Sequence, residues 1–138
     1  FRTIRENRHF AYEVSTVFPS LLDGSTFTVY ALTRSSYLEE TKKALVDELA
    51  RLQVEPVSAS ELKRAKAYLK GRYLLSHQYS AQQAFDLAWY ELIGLGAGFD
   101  ATLPQAIDAV TAADIQRAAR AYFTRYYLVV ILPQTVAK

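Results

Sequence analysis

The spacing of apolar residues along the chain predicts two strands followed by a run of helices. Between positions 11 and 18 the side chains alternate and β-branched residues are frequent, which is typical of a strand. A second strand signal covers 25–33, after a connection marked by Pro19 and by Asp23-Gly24. Two such segments joined by a short connection predict an antiparallel hairpin near 11–33.

From position 35 to 123 the apolar residues recur at helical spacing. Three helix starts carry the Ser-x-x-Glu/Gln capping-box pattern, and a fourth resembles it; they lie at Ser36, Ser58, Ser80 and Thr111. The predicted helices run over about 36–52, 58–76, 80–95, 103–109 and 111–123, with Pro104 in the first turn of the fourth. A continuous apolar run at 126–132, stopped by Pro133, predicts a last strand in the centre of a sheet.

The order of elements predicts an α+β fold, because the strands cluster instead of alternating with helices. A length of 138 residues indicates one domain. Three strands make a thin sheet for five helices, and the chain begins Phe-Arg-Thr-Ile and contains no Met. We therefore expect a piece of a longer protein, whose further strands precede Phe1.

Composition excludes several classes of function. A net charge of +2, from 16 basic and 14 acidic residues, is not the footprint of a nucleic-acid-binding protein. The absence of Cys excludes disulfide scaffolds, thiolate metal sites and cysteine nucleophiles. No apolar run approaches the ~20 residues of a membrane-spanning helix, so no membrane partner is expected.

Familiar catalytic motifs are also missing from the sequence. His9 and His77 are too far apart for a helical two-His zinc motif, and Glu6-x-x-His9 is only one arm of a two-metal carboxylate site. No Gly-x-Ser-x-Gly nucleophile elbow occurs. The glycines of 94–98 follow a helix, which is typical of helix termination and not of a phosphate loop.

One pair of residues remains as candidate chemistry. Arg5 would lie near a helix end and Tyr12 in the following strand, and both side chains are hydrogen-bond donors that could hold a peptide carbonyl or an oxyanion. The spacing alone is not specific, because Arg72/Tyr79 and Arg120/Tyr127 share it. A surface arginine beside a sheet-packed tyrosine is the structural alternative.

Four segments, in order, resemble the pitrilysin/insulinase-type zinc peptidases, the inverted-zincin family that includes mitochondrial processing peptidase. FRTIRENRHFAYEVST resembles the family's Arg-Glu…Tyr segment, and STFTVYALTR resembles the strand after it. SASELKRAKAYLKGRYLLSHQYSAQQAFDLAWYELIG and AIDAVTAADIQRAARAYF…LVVILP resemble later helices and the closing strand. The resemblance spans the whole chain, and it covers about the last two-thirds of one family half.

The resemblance implies how such an enzyme is divided. Two homologous α+β halves, on one polypeptide or on two subunits, enclose a chamber. One half carries His-x-x-Glu-His and a distal Glu; it binds the catalytic zinc and activates water. The other half lacks this motif and contributes an Arg/Tyr pair that holds the peptide and stabilises the tetrahedral intermediate. In this sequence Arg5 and Tyr12 occupy the matching positions.

We therefore expect residues 1–138 to form a single partial domain, resembling the C-terminal, non-zinc half of a zinc metalloendopeptidase. Zinc, the homologous zinc-binding half and a peptide substrate are the implied cofactor and partners, and the chain by itself is expected to be inactive. If the chain kept the fold and lost hydrolysis, it would be a scaffold or peptide-binding subunit. An unrelated peptide-binding or oligomerisation module would use strand edges instead. A bacterial periplasm or cytoplasm is favoured, and a mitochondrial matrix is compatible.

Overall fold

The structure is a computed structural model that describes residues 11–19 and 21–133. Within these residues, two strands, one 3-10 helix and five α-helices follow one another. They are β1 (Ala11–Val17), β2 (Thr28–Thr33), the 3-10 helix Ser35–Tyr37, α1 (Leu38–Val54), α2 (Ala59–Ser76), α3 (Ser80–Leu92), α4 (Phe99–Ala109) and α5 (Ala112–Tyr122). This order confirms the predicted α+β class.

The chain divides into two compact units. The first holds residues up to Val54 together with the part from Ala119 onward, and the second holds Glu55–Ala118. The hairpin and α1 belong to the first unit, whereas α2, α3 and α4 belong to the second. A single partial domain over 1–138 stays a prediction.

In the first unit, β1 and β2 pair antiparallel, as the alternation predicts. The pairing contains one irregularity at the start of β1. Ala11 lies opposite Thr33, but Glu13 already lies opposite Leu32, so two steps on β1 match one step on β2. Tyr12 is therefore the extra residue of a β-bulge, which interrupts the regular alternation of side chains.

The small core of this unit lies between the hairpin and α1. Ala11 and Ala44 are buried in it, and Val14, Ala31 and Leu45 pack against them. Because Ala11 and Val14 contact the same core, the bulge lets residues three positions apart point to the same face. Short side chains at Ala11, Ala31 and Ala44 allow the helix to approach the sheet closely.

The carboxyl end of α1 is held by the end of α5. The Gln53 amide donates to the carbonyl of Phe123 at 3.1 Å, and the Arg120 guanidinium donates to the carbonyl of Gln53 at 2.7 Å. The ring of Phe123 stacks on Phe27 with centroids 5.1 Å apart. These contacts bring the end of the helical region back to the hairpin.

Residues 126–132 differ from the predicted strand. The segment adopts no regular secondary structure, and the sheet formed by the described residues has two strands. Its apolar side chains are exposed, with Tyr127 fully exposed and Ile131 91% exposed. A continuous apolar run indicates a strand buried on both faces only when neighbouring strands accept its backbone hydrogen bonds. Neither β1 nor β2 supplies them here.

In the second unit, α2 and α4 run antiparallel and are tied at two places. The Lys70 ammonium lies 2.8 Å from the Asp108 carboxylate, and Lys66 donates to the Asp108 carbonyl at 2.7 Å. Toward the other end of both helices, the Tyr73 hydroxyl donates to the carbonyl of Asp100 at 3.2 Å. The ring of Tyr90, on α3, packs edge-on against Phe99 with centroids 5.1 Å apart.

The fourth helix begins four residues earlier than predicted, so Pro104 lies inside α4. A proline within a helix cannot donate to the carbonyl four residues before it, here that of Asp100. The Tyr73 hydroxyl supplies the missing donor to this carbonyl. Upstream, Gly94 and Gly96 adopt positive φ angles of 80° and 77° and end α3, as the glycine pattern indicates.

Two of the four predicted caps are formed. Ser58 accepts from the Glu61 amide while the Glu61 side chain accepts from the Ser58 amide, and Thr111 and Asp114 are paired in the same reciprocal way. Hydrogen bonds from the Thr111 hydroxyl and amide lower the pKa of Asp114 to about 2. Ser36 instead lies within a 3-10 turn, and Ser80 lies inside α3, which Tyr79 precedes without a side-chain cap.

We expect Ser58→Ala to lower the free energy of unfolding by about 1 kcal/mol, because the first turn of α2 loses its side-chain acceptor. Urea unfolding followed by circular dichroism measures this change. Ser58→Asp keeps an acceptor at the cap and serves as the control, with a stability close to that of the wild type. Equal losses in both variants would contradict a role for the cap.

Candidate functional site

The predicted site residue Tyr12 lies at the bulge of β1, and its side chain is 64% exposed. Its partner is a residue that the sequence analysis did not select. The Nε of Arg34 donates to the Tyr12 hydroxyl oxygen at 2.5 Å, and the Arg34 guanidinium carbon lies 5.5 Å from the centre of the Tyr12 ring. The same cation thus contacts both the oxygen and the ring of one tyrosine.

The position of Arg34 follows from the end of β2. It comes directly after Thr33, the last paired residue of the strand, which lies opposite Ala11. The amide of Tyr37 donates to the Arg34 carbonyl at 3.0 Å and starts the 3-10 helix. The backbone of Arg34 is therefore fixed between a strand and a turn, next to the residue that the bulge turns outward.

The electrostatics of the pair favour a permanently charged guanidinium. Hydrogen bonding to the Tyr12 oxygen raises the pKa of Arg34 above its already high usual value. Arg34 is exposed, so it meets any ligand that approaches this face of the hairpin.

Regular alternation over 11–18 would place Tyr12 on one face with Val14, Thr16 and Phe18, but the structure departs from this pattern at Val14. Val14 packs into the core beside Ala11, whereas Tyr12 is exposed. The bulge is the physical reason, because it inserts one residue into the two-residue repeat. It also keeps Tyr12 out from under the helix.

A second polar pair lies beside the first on the hairpin. The Tyr30 hydroxyl donates to the Glu13 carboxylate at 2.8 Å, and this hydrogen bond raises the pKa of Tyr30. Glu13 is opposite Leu32, so its diagonal neighbours on the same face are Tyr30 and Arg34. The carboxylate thus pairs with the phenol on one side, away from the guanidinium on the other.

Arg5, the predicted partner of Tyr12, and His9 lie outside the described residues. Arg120 and Tyr127 have the same spacing, but they do not act as a pair. Arg120 donates to the Gln53 carbonyl, and Tyr127 is fully exposed. Spacing could not have found Arg34, which is distant from Tyr12 in sequence. Its signal was the hairpin itself, since the residue after β2 must lie near the beginning of β1.

A partly buried polar network surrounds His77 in the second unit. Its Nδ1 lies 2.8 Å from the Tyr73 carbonyl oxygen, and its Nε2 lies 2.8 Å from an Asp100 carboxylate oxygen. The rings of Tyr73 and His77 are in contact, with centroids 3.9 Å apart. The side chains of His77 and Asp100 are only 20% and 14% exposed.

Both ring nitrogens of His77 therefore face acceptors. A neutral imidazole has one N–H and can satisfy only one of them, whereas the imidazolium satisfies both. The hydrogen bond to Asp100 and the one to the Tyr73 carbonyl accordingly raise the pKa of His77. His77 is the C-cap residue of α2, and the sequence did not reveal Asp100 as its partner.

The polar groups on the hairpin and around His77 do not fit a zinc site. Within residues 11–19 and 21–133, no group of three or more His, Asp or Glu side chains is placed to hold a metal ion. No helix in the described part of the chain is long and apolar enough to span a membrane. The chemistry that the site offers is hydrogen-bond donation from a phenol and a guanidinium.

Comparison with protein families gives a match over half of the chain. The family described as the peptidase M16 inactive domain matches residues 1–69, which include the hairpin with Tyr12 and Arg34. The chain belongs to this family. The resemblance to the inverted-zinc peptidases is thereby confirmed, and it concerns their inactive domain.

Curated relatives of this M16 inactive domain are described as uncharacterized zinc proteases. One, YmxG of Bacillus subtilis (strain 168), is 26% identical over 96% of this chain; another, from Mycobacterium leprae (strain TN), is 27% identical over the whole chain. The chain spans about a third of their length, 32% and 31% respectively. The description as zinc proteases thus applies to longer relatives, and this chain corresponds to one part of their length.

Solved structures share the fold. The inactive peptidase domain of a proposed zinc protease from Bordetella parapertussis has a TM-score of 0.72 at 20% identity, covering 95% of this chain and 73% of that one. A protease from Helicobacter pylori has a TM-score of 0.66 at 17% identity, covering 89% of this chain and 30% of that one. The α+β architecture is therefore that of an M16 inactive domain.

We expect Asp100→Asn to lower the pKa of His77 toward its ordinary value of 6.5, because the variant removes the carboxylate partner. In the wild type, the stabilisation from charged His77 is complete below that ordinary value and is lost as the pH rises through the raised folded-state pKa. NMR titration of the imidazole measures the pKa, and His77→Gln assigns the signal. An unchanged titration in Asp100→Asn would contradict the assignment.

Proposed function

We propose that this chain is the substrate-binding and transition-state-stabilising half of a zinc-dependent endopeptidase that hydrolyses peptides. Zinc is supplied by a homologous half that carries the inverted motif, either on the same polypeptide or on a separate subunit. The supporting observation is the exposed Tyr12 phenol, whose oxygen accepts from Arg34. Membership of the M16 inactive domain family supports the division of labour.

The hydrogen bond from Arg34 orients the phenol. A tyrosine hydroxyl has one O–H to donate, and its oxygen can accept at the same time. Because the Arg34 Nε–H occupies an acceptor position of the oxygen, the O–H of Tyr12 is available to another acceptor. Accepting from a cation also polarises the phenol and strengthens it as a donor.

A phenol of this kind can act on a peptide carbonyl during hydrolysis. As water adds to the carbonyl carbon, charge develops on the oxygen, and a pre-positioned donor stabilises that charge more than it stabilises the ground state. Tyr12 is the donor in this proposal, and Arg5 is proposed to hold the substrate beside it. When bound by the other half, zinc supplies the Lewis acid and the activated water.

A scaffold or peptide-binding subunit that has lost hydrolysis is the alternative. The two are separated by whether His-x-x-Glu-His occurs in the rest of the reading frame or in a neighbouring one. If the motif is present, the hydrolytic role is favoured. If neither reading frame contains the motif, the scaffold role is favoured.

In the complete peptidase, Tyr12→Phe should lower kcat by about 10- to 1,000-fold, because one transition-state donor is lost. Steady-state hydrolysis of a fluorogenic peptide measures this change. Tyr68→Phe is the matched control, since Tyr68 lies on α2 and is also 64% exposed. Unchanged turnover in Tyr12→Phe would exclude the oxyanion role.

The isolated chain should hydrolyse no peptide when zinc is added, since in the proposed division the metal ligands belong to the other half. Purified chain is assayed with and without zinc and with a chelator. Mixing it with the zinc-binding half should restore activity. Robust, chelator-sensitive hydrolysis by the chain alone would contradict the proposal.

A further inference from the structure

The side chain of Arg34 is held at both its base and its head. The backbone amide of Tyr37 donates to the backbone carbonyl of Arg34. Tyr12 contacts the guanidinium with its hydroxyl and its ring. A guanidinium has five N–H donors, and Tyr12 engages the one on Nε. Among the described residues, the two terminal nitrogens have no hydrogen-bond partner, and they are arranged as a fork that matches a carboxylate.

Arg34 has no carboxylate partner within the described residues, although other cations of the chain do. Lys43, Lys70 and Arg117 each form an ion pair with an aspartate at 2.6–2.8 Å. An exposed arginine that is oriented by a phenol, and that has no anion among residues 11–19 and 21–133, can receive the carboxylate of a ligand.

The carboxylate that the strand register places beside Arg34 is held elsewhere. Glu13 is the diagonal neighbour of Arg34, but its carboxylate accepts from the Tyr30 hydroxyl at 2.8 Å. This hydrogen bond draws Glu13 toward the middle of β2, away from the strand end that carries Arg34. Tyr30 therefore keeps the fork of Arg34 open.

We propose that Arg34, held by Tyr12, forms a subsite for a carboxylate of the peptide substrate. The carboxylate comes either from an acidic side chain or from the C-terminus of the peptide. This inference rests on the proposed function for the identity of the ligand as a peptide. It adds a specificity-determining residue next to the proposed transition-state donor.

The test uses the full-length protein that contains this chain and a matched set of peptides. End-blocked peptides carry Glu or Gln at each position in turn, and a second pair differs only in a free or an amidated C-terminus. The readout is the ratio of kcat/KM between the members of each pair. The difference should come from KM, with kcat unchanged. The same ratio is measured as Kd by fluorescence anisotropy, which does not require turnover.

The wild type should prefer the carboxylate-bearing member of one pair by about 3- to 10-fold, the range between an exposed ion pair and a bidentate one. Arg34→Gln should bring the ratio to about 1, and Arg34→Lys should restore part of it, because lysine keeps the charge but not the fork. Arg64→Gln removes the same charge from an exposed position on α2 and should keep the preference.

Tyr30→Phe tests the arrangement around the subsite. Without the phenol, Glu13 is free to pair with Arg34 and should reduce the preference for a carboxylate. Adding Glu13→Gln to that variant removes the competitor and should restore the preference. A preference that falls in Tyr30→Phe and stays low in the double variant would contradict this competition.

The outcomes separate the subsite from the proposed function. No carboxylate preference at any position, an unchanged ratio in Arg34→Gln, or an equal loss in Arg64→Gln overturns the subsite, even if Tyr12→Phe abolishes turnover. A preference in Kd that Arg34→Gln removes supports the subsite, even if the full-length protein hydrolyses nothing. Which pair responds identifies the source of the carboxylate.

Discussion

The extra residue in β1 is the constraint on which the candidate site depends. With strict alternation, Tyr12 and Val14 would point to one face of the hairpin. Either Val14 would then leave the core, or Tyr12 would be buried beneath α1. The bulge removes this conflict, since Ala11 and Val14 pack against Ala44 while Tyr12 remains exposed.

Because the bulge lies at the end of the ladder, the outward tyrosine meets the first residue beyond β2. Arg34 thereby gains a neutral partner that uses only the donor on Nε. A carboxylate in the place of Tyr12 would neutralise the cation, and an aliphatic residue would leave it without orientation. The phenol orients the charge without neutralising it, which suits a surface that receives a ligand.

Features that depend on residues close together in sequence were predicted more accurately than features that depend on contacts between distant segments. The caps at Ser58 and Thr111 form because both partners lie within one turn of helix. The same pattern at Ser36 and Ser80 gave no cap, because the chain had already entered a turn or a helix there. The bulge and the Arg34 contact depend on register between two strands, and alternation within one strand does not contain that information. The apolar pattern of 126–132 indicates a buried environment, but it does not name the strand that would pair with it.

Pro104 has a consequence for the helices of the second unit. The carbonyl that it leaves without a helical donor is satisfied from α2, so a defect in one helix fixes the position of another. Together with the lysine contacts at Asp108, this sets both the direction and the longitudinal register of α4 along α2. One residue inserted between Asp100 and Asp108 would rotate the two anchors by about 100° relative to each other, at 3.6 residues per turn. The number of residues between the two anchors is therefore restricted. The glycine-rich connection before α4 lies outside the anchors, so its length does not affect their alignment.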